Sequence, residues 1–154
     1  MKSENIAVLQ IIAKILNHED IFWVLTGSTA LNLRGVDVEM KDIDIMSDRE
    51  NAYRIDKLFT KYCVQPMSYS ETEKFRSHFG VYEINGIRIE VMADLEYKNM
   101  NGNWQKSIWD KIVKQKIDDL IVPMFTIKDE LKSYEDLGRE EKAMKIREFM
   151  KERK

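Results

Sequence analysis

The chain has 154 residues, and its 25 lysines and arginines stand against 27 aspartates and glutamates, which gives a formal net charge of −2. This length predicts one domain with a core of its own, and the charge balance excludes a general attraction to nucleic acid or anionic lipid. One cysteine and two histidines exclude an internal disulfide, a cysteine-based zinc site and a histidine-rich metal cluster. Since no apolar run approaches the ~20 residues of a membrane span, we expect a cytoplasmic protein without a membrane partner.

The chain opens with a helical pattern followed by a strand pattern. Apolar residues recur at helical spacing over residues 4–17, which predicts an amphipathic helix. The continuous apolar run 21–25 predicts a buried strand that ends just before Gly27-Ser28. A short helix is expected after this turn, ending near Gly35.

A second strand and helix come next. Residues 42–46 alternate charged and apolar side chains, which is the period of a strand. Ser47-Asp48 can then cap a helix that runs to about Tyr62.

The strongest turn signal in the chain is Asn85-Gly86, because both central positions of a two-residue hairpin turn need positive φ. It joins two strand-like segments, residues 79–84 and 87–93. The remaining predicted elements are, in chain order, a polar loop over 97–103, a short helix over 104–114, a strand over 119–125 and two helical segments separated by Gly138 as a C-terminal cap. The order of elements predicts an α+β protein with a mixed α/β sheet flanked by helices.

The segment most informative about function is Gly27-Ser28, followed after thirteen residues by Asp42-Ile43-Asp44. Two aspartates two positions apart on a strand project to one face, roughly 6–7 Å apart. There they could bind one hard cation or share a pair of Mg²⁺ ions, while Ile43 and Ile45 anchor the other face in the core. A glycine at a strand-to-helix junction lets a phosphate approach the free N–H groups of the helix N-terminus. This layout suits a triphosphate held with its metal.

The hairpin supplies a candidate third carboxylate, Glu90. Strand alternation directs Glu90 to the same side as Arg88 and Met92, and Ile89 and Val91 to the other. A carboxylate among apolar neighbours needs a compensating cation, which a metal would provide. The alternative interpretation is a half-exposed residue paired with Arg88.

With these residues in place, the chain resembles the DNA polymerase β-like nucleotidyltransferase superfamily. The similarity rests on residues 24–31, 41–45 and 89–92, and it is to the small bacterial and archaeal members: the minimal, the lincosamide-type and the AbiEii-type proteins. Residues 137–142 are similar to a tail motif of several such proteins, so the resemblance covers most of the chain. It implies a single nucleotidyltransferase-fold domain over residues 1–154, with a core of about residues 1–97 and a C-terminal strand and helical extension over about 104–151.

The resemblance also implies a reaction. A nucleoside triphosphate, with ATP as the expected donor, would pass its nucleoside monophosphate to an acceptor hydroxyl and release pyrophosphate, with Mg²⁺ in a two-metal site. By position, Gly27 and Ser28 would hold the β- and γ-phosphates. Asp42 and Asp44 would bind metal, and Glu90 would be a further metal ligand or the base for the acceptor hydroxyl.

Several other side chains are candidates for contacts with substrate. Arg34 could counter phosphate charge in the nucleotide site, whereas Lys41 has the strand parity of a surface lysine. Arg139 and Lys142 share a helical face and could contact phosphate or simply be solvated. Residues 75–79 could form an acceptor site or an ordinary strand edge.

Two features depart from the family pattern. The commonest minimal form has a shorter spacer between the glycine turn and the aspartates, and its third carboxylate is more often Asp than Glu; one extra methylene moves the carboxylate by about 1 Å. The acceptor is left open among a protein hydroxyl, an RNA 3′ end and a small molecule such as an aminoglycoside or lincosamide. A non-catalytic nucleotidyltransferase-like partner in a toxin–antitoxin pair and a Mg²⁺-dependent nuclease are alternatives, and a homodimer could complete a shallow cleft.

Overall fold

The computed structural model describes residues 3–107 and 111–153, and in these ranges it contains five α-helices and eight strands. The helices are α1 (Ser3–His18), α2 (Gly27–Arg34), α3 (Arg49–Leu58), α4 (Ile127–Asp136) and α5 (Glu140–Glu152). The strands are β1 (Val24–Thr26), β2 (Ile43–Ser47), β3 (Cys63–Glu71), β4 (Phe75–Ile84), β5 (Ile87–Lys98), β6 (Trp104–Lys106), β7 (Ile112–Ile117) and β8 (Leu120–Phe125). None of the described helices is long and apolar enough to cross a membrane.

The strands form one mixed sheet in the order β3-β4-β5-β2-β1-β8-β7, and β6 pairs with β5 outside this path. Two neighbouring pairs are parallel, β2 with β5 and β1 with β8, and the other pairs are antiparallel. The predicted class, a mixed sheet flanked by helices, is confirmed. Because β8 runs parallel beside β1, helix α4 after β8 begins close to helix α2 after β1.

One face of the sheet carries the main core. Helices α1 and α3 share a buried cluster with side chains of β2 and β5 that are fully shielded from solvent, namely Ile43, Ile45, Ile89 and Val91. This confirms the anchoring that the alternation along residues 42–46 predicts. Since successive side chains of a strand point to opposite faces, the acids that alternate with these residues emerge on the other face.

A second cluster attaches the two C-terminal helices to α2. It contains the buried side chains Leu31, Val36, Tyr134, Ala143 and Ile146. Gly138 lies between α4 and α5 with a φ of 71°, as expected for a residue that ends one helix before the next begins. The helical extension is therefore packed against α2, whose first residue is Gly27.

The helix predicted over residues 104–114 is wrong. This region contains β6 and the start of β7, while residues 108–110 lie outside the described part. Ile112 and Val113 pair with Phe125 and Met124 of β8. Their apolar spacing also fits a helix, but pairing within the sheet overrides a local preference of this size. The predicted hairpin turn is confirmed, with φ values of 49° at Asn85 and 81° at Gly86.

Candidate active site

Strands β2 and β5 place the predicted carboxylates side by side. Their parallel register sets Asp44 directly opposite Glu90, and Asp42 precedes Asp44 by two residues on the same face. Asp44 and Glu90 both line a cavity of about 360 Å³. Within residues 3–107 and 111–153, however, no three acidic, histidine or cysteine side chains are close enough to form a preassembled metal site.

The electrostatics of Asp44 favour a bound cation. Burial, together with the neighbouring carboxylates of Glu90, Asp42 and Glu130, raises the pKa of Asp44 to about 7, while Lys142 acts in the opposite direction. Carboxylate oxygens are the ligands that Mg²⁺ prefers, and a divalent cation would relieve the repulsion among these acids. The donor set therefore fits Mg²⁺ in its chemistry.

A guanidinium group lies between two of these acids. Arg88 Nε donates a hydrogen bond to Glu90 Oε2 at 2.8 Å and lies 3.7 Å from Asp42 Oδ2. The hydrogen bond to Glu90 raises the pKa of Arg88 above its usual value. The pairing of Glu90 with Arg88 is thus present in the structure, and Glu90 also lies opposite Asp44; its role as a metal ligand or base stays a prediction.

The glycine turn before α2 packs directly against Asp44. Gly27 has a φ of +75°, and a Cβ atom added there would overlap the Asp44 carboxylate. Glycine is needed here for two reasons. Other residues rarely adopt this φ, and every other residue carries a Cβ atom. The position of the Asp44 carboxylate therefore depends on a glycine at residue 27.

Ser28 and Thr29 connect the first turn of α2 to the loop that enters β2. The buried Ser28 Oγ accepts a hydrogen bond from the backbone N–H of Lys41 at 3.2 Å. Thr29 Oγ1 donates to the carbonyl of Asp42 at 3.1 Å. These contacts hold the backbone around the first aspartate, and the phosphate contact predicted for Ser28 stays a prediction.

We expect Gly27→Ala to reduce the nucleotidyl transfer that the sequence resemblance implies by about a hundredfold, because a displacement of a reacting group by about 1 Å costs that much. The added methyl must push the Asp44 carboxylate aside. Pyrophosphate release measures the effect. Gly86→Ala is the matched control, since Gly86 also has a positive φ but an added Cβ there meets nothing within 4 Å. Equal losses of activity in both variants would contradict the proposed contact between the turn and Asp44.

Arg34 has contacts on the other side of α2. Its guanidinium donates to the backbone carbonyl of Phe125 at the end of β8. Burial lowers the pKa of Arg34, and the nearby Glu130 raises it. Within the described residues, Arg34 Nε is buried without a hydrogen-bond partner. These contacts join α2 to β8, and the nucleotide-binding role of Arg34 stays a prediction.

Glu130 of α4 is an additional acid that the motif analysis did not identify. It is 4% exposed, and its Oε1 accepts a hydrogen bond from Thr26 Oγ1 at 2.5 Å. Together with Gly27 and Asp44 it lines a second cavity, of about 130 Å³. Burial raises the pKa of Glu130 to about 7, while Thr26 and Arg34 act to lower it.

The sequence does contain a signal for Glu130. It lies three residues after Ile127 and four before Tyr134, so it falls on the apolar face of an amphipathic helix. A carboxylate in that position must be compensated by a partner or carry a function. The helical pattern does not identify the residue that contacts Glu130, because β1 and α4 are distant in sequence.

Two basic side chains, Arg139 and Lys142, lie near Asp44. Burial lowers the pKa of Lys142, and so do the charges of Arg139 and Lys41, whereas Asp44 raises it. The Lys142 ammonium lies 5.6 Å from the centroid of the Tyr134 ring, and Arg139 lines both cavities that contain Asp44. Clustered cations of this kind suit an anionic ligand.

Asp44 lies where the two cavities meet. The larger cavity extends towards β3 and β4. Its further lining residues include Ser70, Thr72, Phe75, Ser77 and Phe79. Alternate residues of the predicted acceptor segment 75–79 therefore face this space, whereas His78 turns to Tyr53, whose hydroxyl lies 3.0 Å from His78 Nδ1.

A glycine turn between a strand and a helix thus packs against Asp44 of β2, which lies opposite Glu90 of the parallel strand β5. The family comparison identifies the class of protein that carries this arrangement as a nucleotidyltransferase. The chain belongs to the aminoglycoside-2''-adenylyltransferase family, whose model matches residues 7–151.

Two solved structures agree with this assignment. A protein of Thermotoga maritima, provisionally assigned as a nucleotidyltransferase, is 35% identical with a TM-score of 0.82, and the match covers 99% of this chain and 96% of that chain. The lincosamide antibiotic adenylyltransferase LnuA, in its lincomycin-bound form, has a TM-score of 0.60 at 12% identity, covering 90% of this chain and 94% of that one. At this identity, the similarity to LnuA shows that the two proteins share a fold. A search of curated protein sequences finds no match.

Proposed function

We propose that the protein transfers the nucleoside monophosphate of a Mg²⁺-bound nucleoside triphosphate, with ATP as the first candidate, to a hydroxyl group of a small molecule. The bond between the α-phosphorus and its bridging oxygen breaks, a bond from the acceptor oxygen to the α-phosphorus forms, and pyrophosphate leaves. The observation that carries the proposal is the position of Asp44, which lies opposite Glu90, packs against Gly27 and borders two cavities at once.

The donor side of the site is assigned to the smaller cavity. It lies beside Gly27 at the start of α2, where backbone N–H groups suit phosphate oxygens. Arg139 and Lys142 are placed to neutralise charge on the polyphosphate. Mg²⁺ held by the carboxylates of Asp42, Asp44 and Glu90 would supply further positive charge against the phosphates.

The acceptor side is assigned to the larger cavity. Its volume of about 360 Å³ lies within the range of pockets for small molecules. Hydroxyls of Ser70, Thr72 and Ser77 can meet polar groups, and Phe75 and Phe79 can cover an apolar ring face. Glu90 borders the same space, which supports the alternative role of its carboxylate as the base that takes the proton of an acceptor hydroxyl in place of a role as metal ligand. The printed names of the family and of LnuA make aminoglycosides and lincosamides the first acceptors to test.

The test is a matrix of the four common nucleoside triphosphates against acceptors, with Mg²⁺ or with chelator. Pyrophosphate release is measured, together with the mass of each acceptor. We expect Mg²⁺-dependent release with ATP that requires a small hydroxylated acceptor, which gains the mass of one nucleotide. Modification of an RNA 3′ end or a protein instead would overturn the acceptor class. Nucleotide binding without turnover would favour the non-catalytic alternative, and cleavage of nucleic acid without a triphosphate would favour the nuclease.

A further inference from the structure

We propose that Arg88 is an internal counter-cation of the carboxylate site and competes with the divalent metal for Asp42 and Glu90. This inference rests on the proposed function, because it assumes that these acids hold Mg²⁺. It goes further, since it assigns a role to a residue of β5 that none of the motifs includes.

The geometry places Arg88 on the oxygen atoms in question. Its Nε lies between Glu90 Oε2 at 2.8 Å and Asp42 Oδ2 at 3.7 Å. A divalent cation that bridged these two carboxylates would draw on the same negative charge and would lie close to the guanidinium. Arg88 and the metal therefore compete for the negative charge of these acids in this arrangement.

The exposure of the three side chains makes an exchange feasible. The Arg88 and Asp42 side chains are each 48% exposed, whereas the Glu90 side chain is 25% exposed. A half-exposed guanidinium can leave for solvent without a large desolvation cost, and exposed ion pairs are weak. Arg88 thus neutralises the acids and remains displaceable.

An arginine on the neighbouring strand β4 shows the contrast. Arg76 of β4 makes two hydrogen bonds to Glu96 of β5, at 2.9 and 3.2 Å, and stacks 4.1 Å from the Trp104 ring centroid. The Trp104 ring thus packs against this bidentate ion pair. The ion pair contacts none of the three proposed metal ligands. Arg76 is therefore a structural arginine and a matched reference for Arg88.

Arg88 therefore weakens the binding of Mg²⁺ to the protein in the absence of nucleotide. Mg²⁺ would have to displace the Arg88 guanidinium from these carboxylates and would still experience repulsion from its nearby positive charge. With Arg88→Gln we expect Mg²⁺ to bind about tenfold more tightly, because one competing pair and one like charge are removed. Arg76→Gln should leave Mg²⁺ affinity unchanged.

The experiment is calorimetric titration of Mg²⁺ alone into nucleotide-free protein at low ionic strength, with wild type, Arg88→Gln, Arg76→Gln and Asp44→Asn. In parallel, the Arg88 Nε–H resonance of wild-type protein is followed by NMR during the same titration. We expect this resonance to move with a midpoint equal to the calorimetric Kd. The NMR arm does not depend on the folding of any variant.

The outcomes separate the two proposals. Equal Mg²⁺ affinity in wild type and Arg88→Gln, with binding lost in Asp44→Asn, overturns the role of Arg88 and keeps the metal site. A stationary Arg88 resonance during saturable binding also overturns it. Weaker binding in Arg88→Gln would make Arg88 a supporting residue and contradict competition. Binding that is absent throughout, or unaffected by Asp44→Asn, removes the proposed metal site and this inference with it.

Discussion

Asp44→Asn is expected to lower nucleotidyl transfer by about a thousandfold or more, because it removes the central charge that would hold the metal against the phosphates. Asn keeps the shape of the side chain, so the contact with Gly27 and the place opposite Glu90 remain. The measurement is pyrophosphate release at saturating triphosphate and Mg²⁺. A variant that retains a tenth of the wild-type rate would contradict the central role of Asp44.

The loss should not come from unfolding. Burial and the charges of Glu90, Asp42 and Glu130 raise the pKa of Asp44, so an ionised Asp44 destabilises the folded protein. The neutral amide avoids this cost, and Asp44→Asn should unfold at the same temperature as wild type or higher at alkaline pH, in chelator. Asp48→Asn is the control: Asp48 caps α3 by accepting from the Asn51 N–H, and Asn caps equally well. It should keep both activity and stability.

The elements that could be predicted from the sequence are those determined by short stretches of chain. The helix over residues 4–17 and the hairpin at Asn85-Gly86 are examples, since periodicity and turn chemistry act locally. The glycine turn and the two aspartates belong to this class too. Each is visible as a local pattern, and the two-residue spacing of the aspartates predicts that they share one face of a strand. That the turn lies beside the aspartates is implied by the family resemblance.

The edge strands of the sheet could not be predicted in this way. Along β3 only Met67 is buried, so the strand lacks the alternation that marks a half-buried one. The opposite edge strand, β7, is exposed at Lys114, Gln115 and Lys116, and its apolar residues also fit a helix. What determines these strands is pairing with β4 and β8, which a local pattern does not contain.

The same limit applies to the site. The Asp42–Asp44 pair is visible in the motif, but the acid that faces the turn from α4 reaches Thr26 from 104 positions away. The contact of Arg88 with Asp42 likewise depends on the register of β2 against β5. A pattern can show that a helix buries a carboxylate, but only the topology shows that β8, beside β1, brings this carboxylate to Thr26 at the end of β1.

Glu130→Gln should change how the stability of the protein depends on pH. Burial raises the pKa of Glu130 to about 7 from an ordinary value of 4.5, so between these values the folded state binds more protons than the unfolded state. The free energy of unfolding of wild type therefore falls as pH rises through this window and stays low above it. Gln has no proton to lose, so the variant lacks this fall.

The stability of Glu130→Gln relative to wild type should therefore increase by roughly 2–3 kcal/mol between about pH 5 and pH 8, measured by denaturant titration in chelator. Comparing the two proteins cancels most of the titration of Asp44, which both contain. Glu73→Gln, an exposed residue, is the control and should show no such trend. A difference independent of pH would mean that Arg34 and the Thr26 hydroxyl keep Glu130 ionised throughout, because those two groups oppose the effect of burial. Glu130 would then be the anionic partner of Arg34 rather than a protonated carboxyl beside the donor cavity.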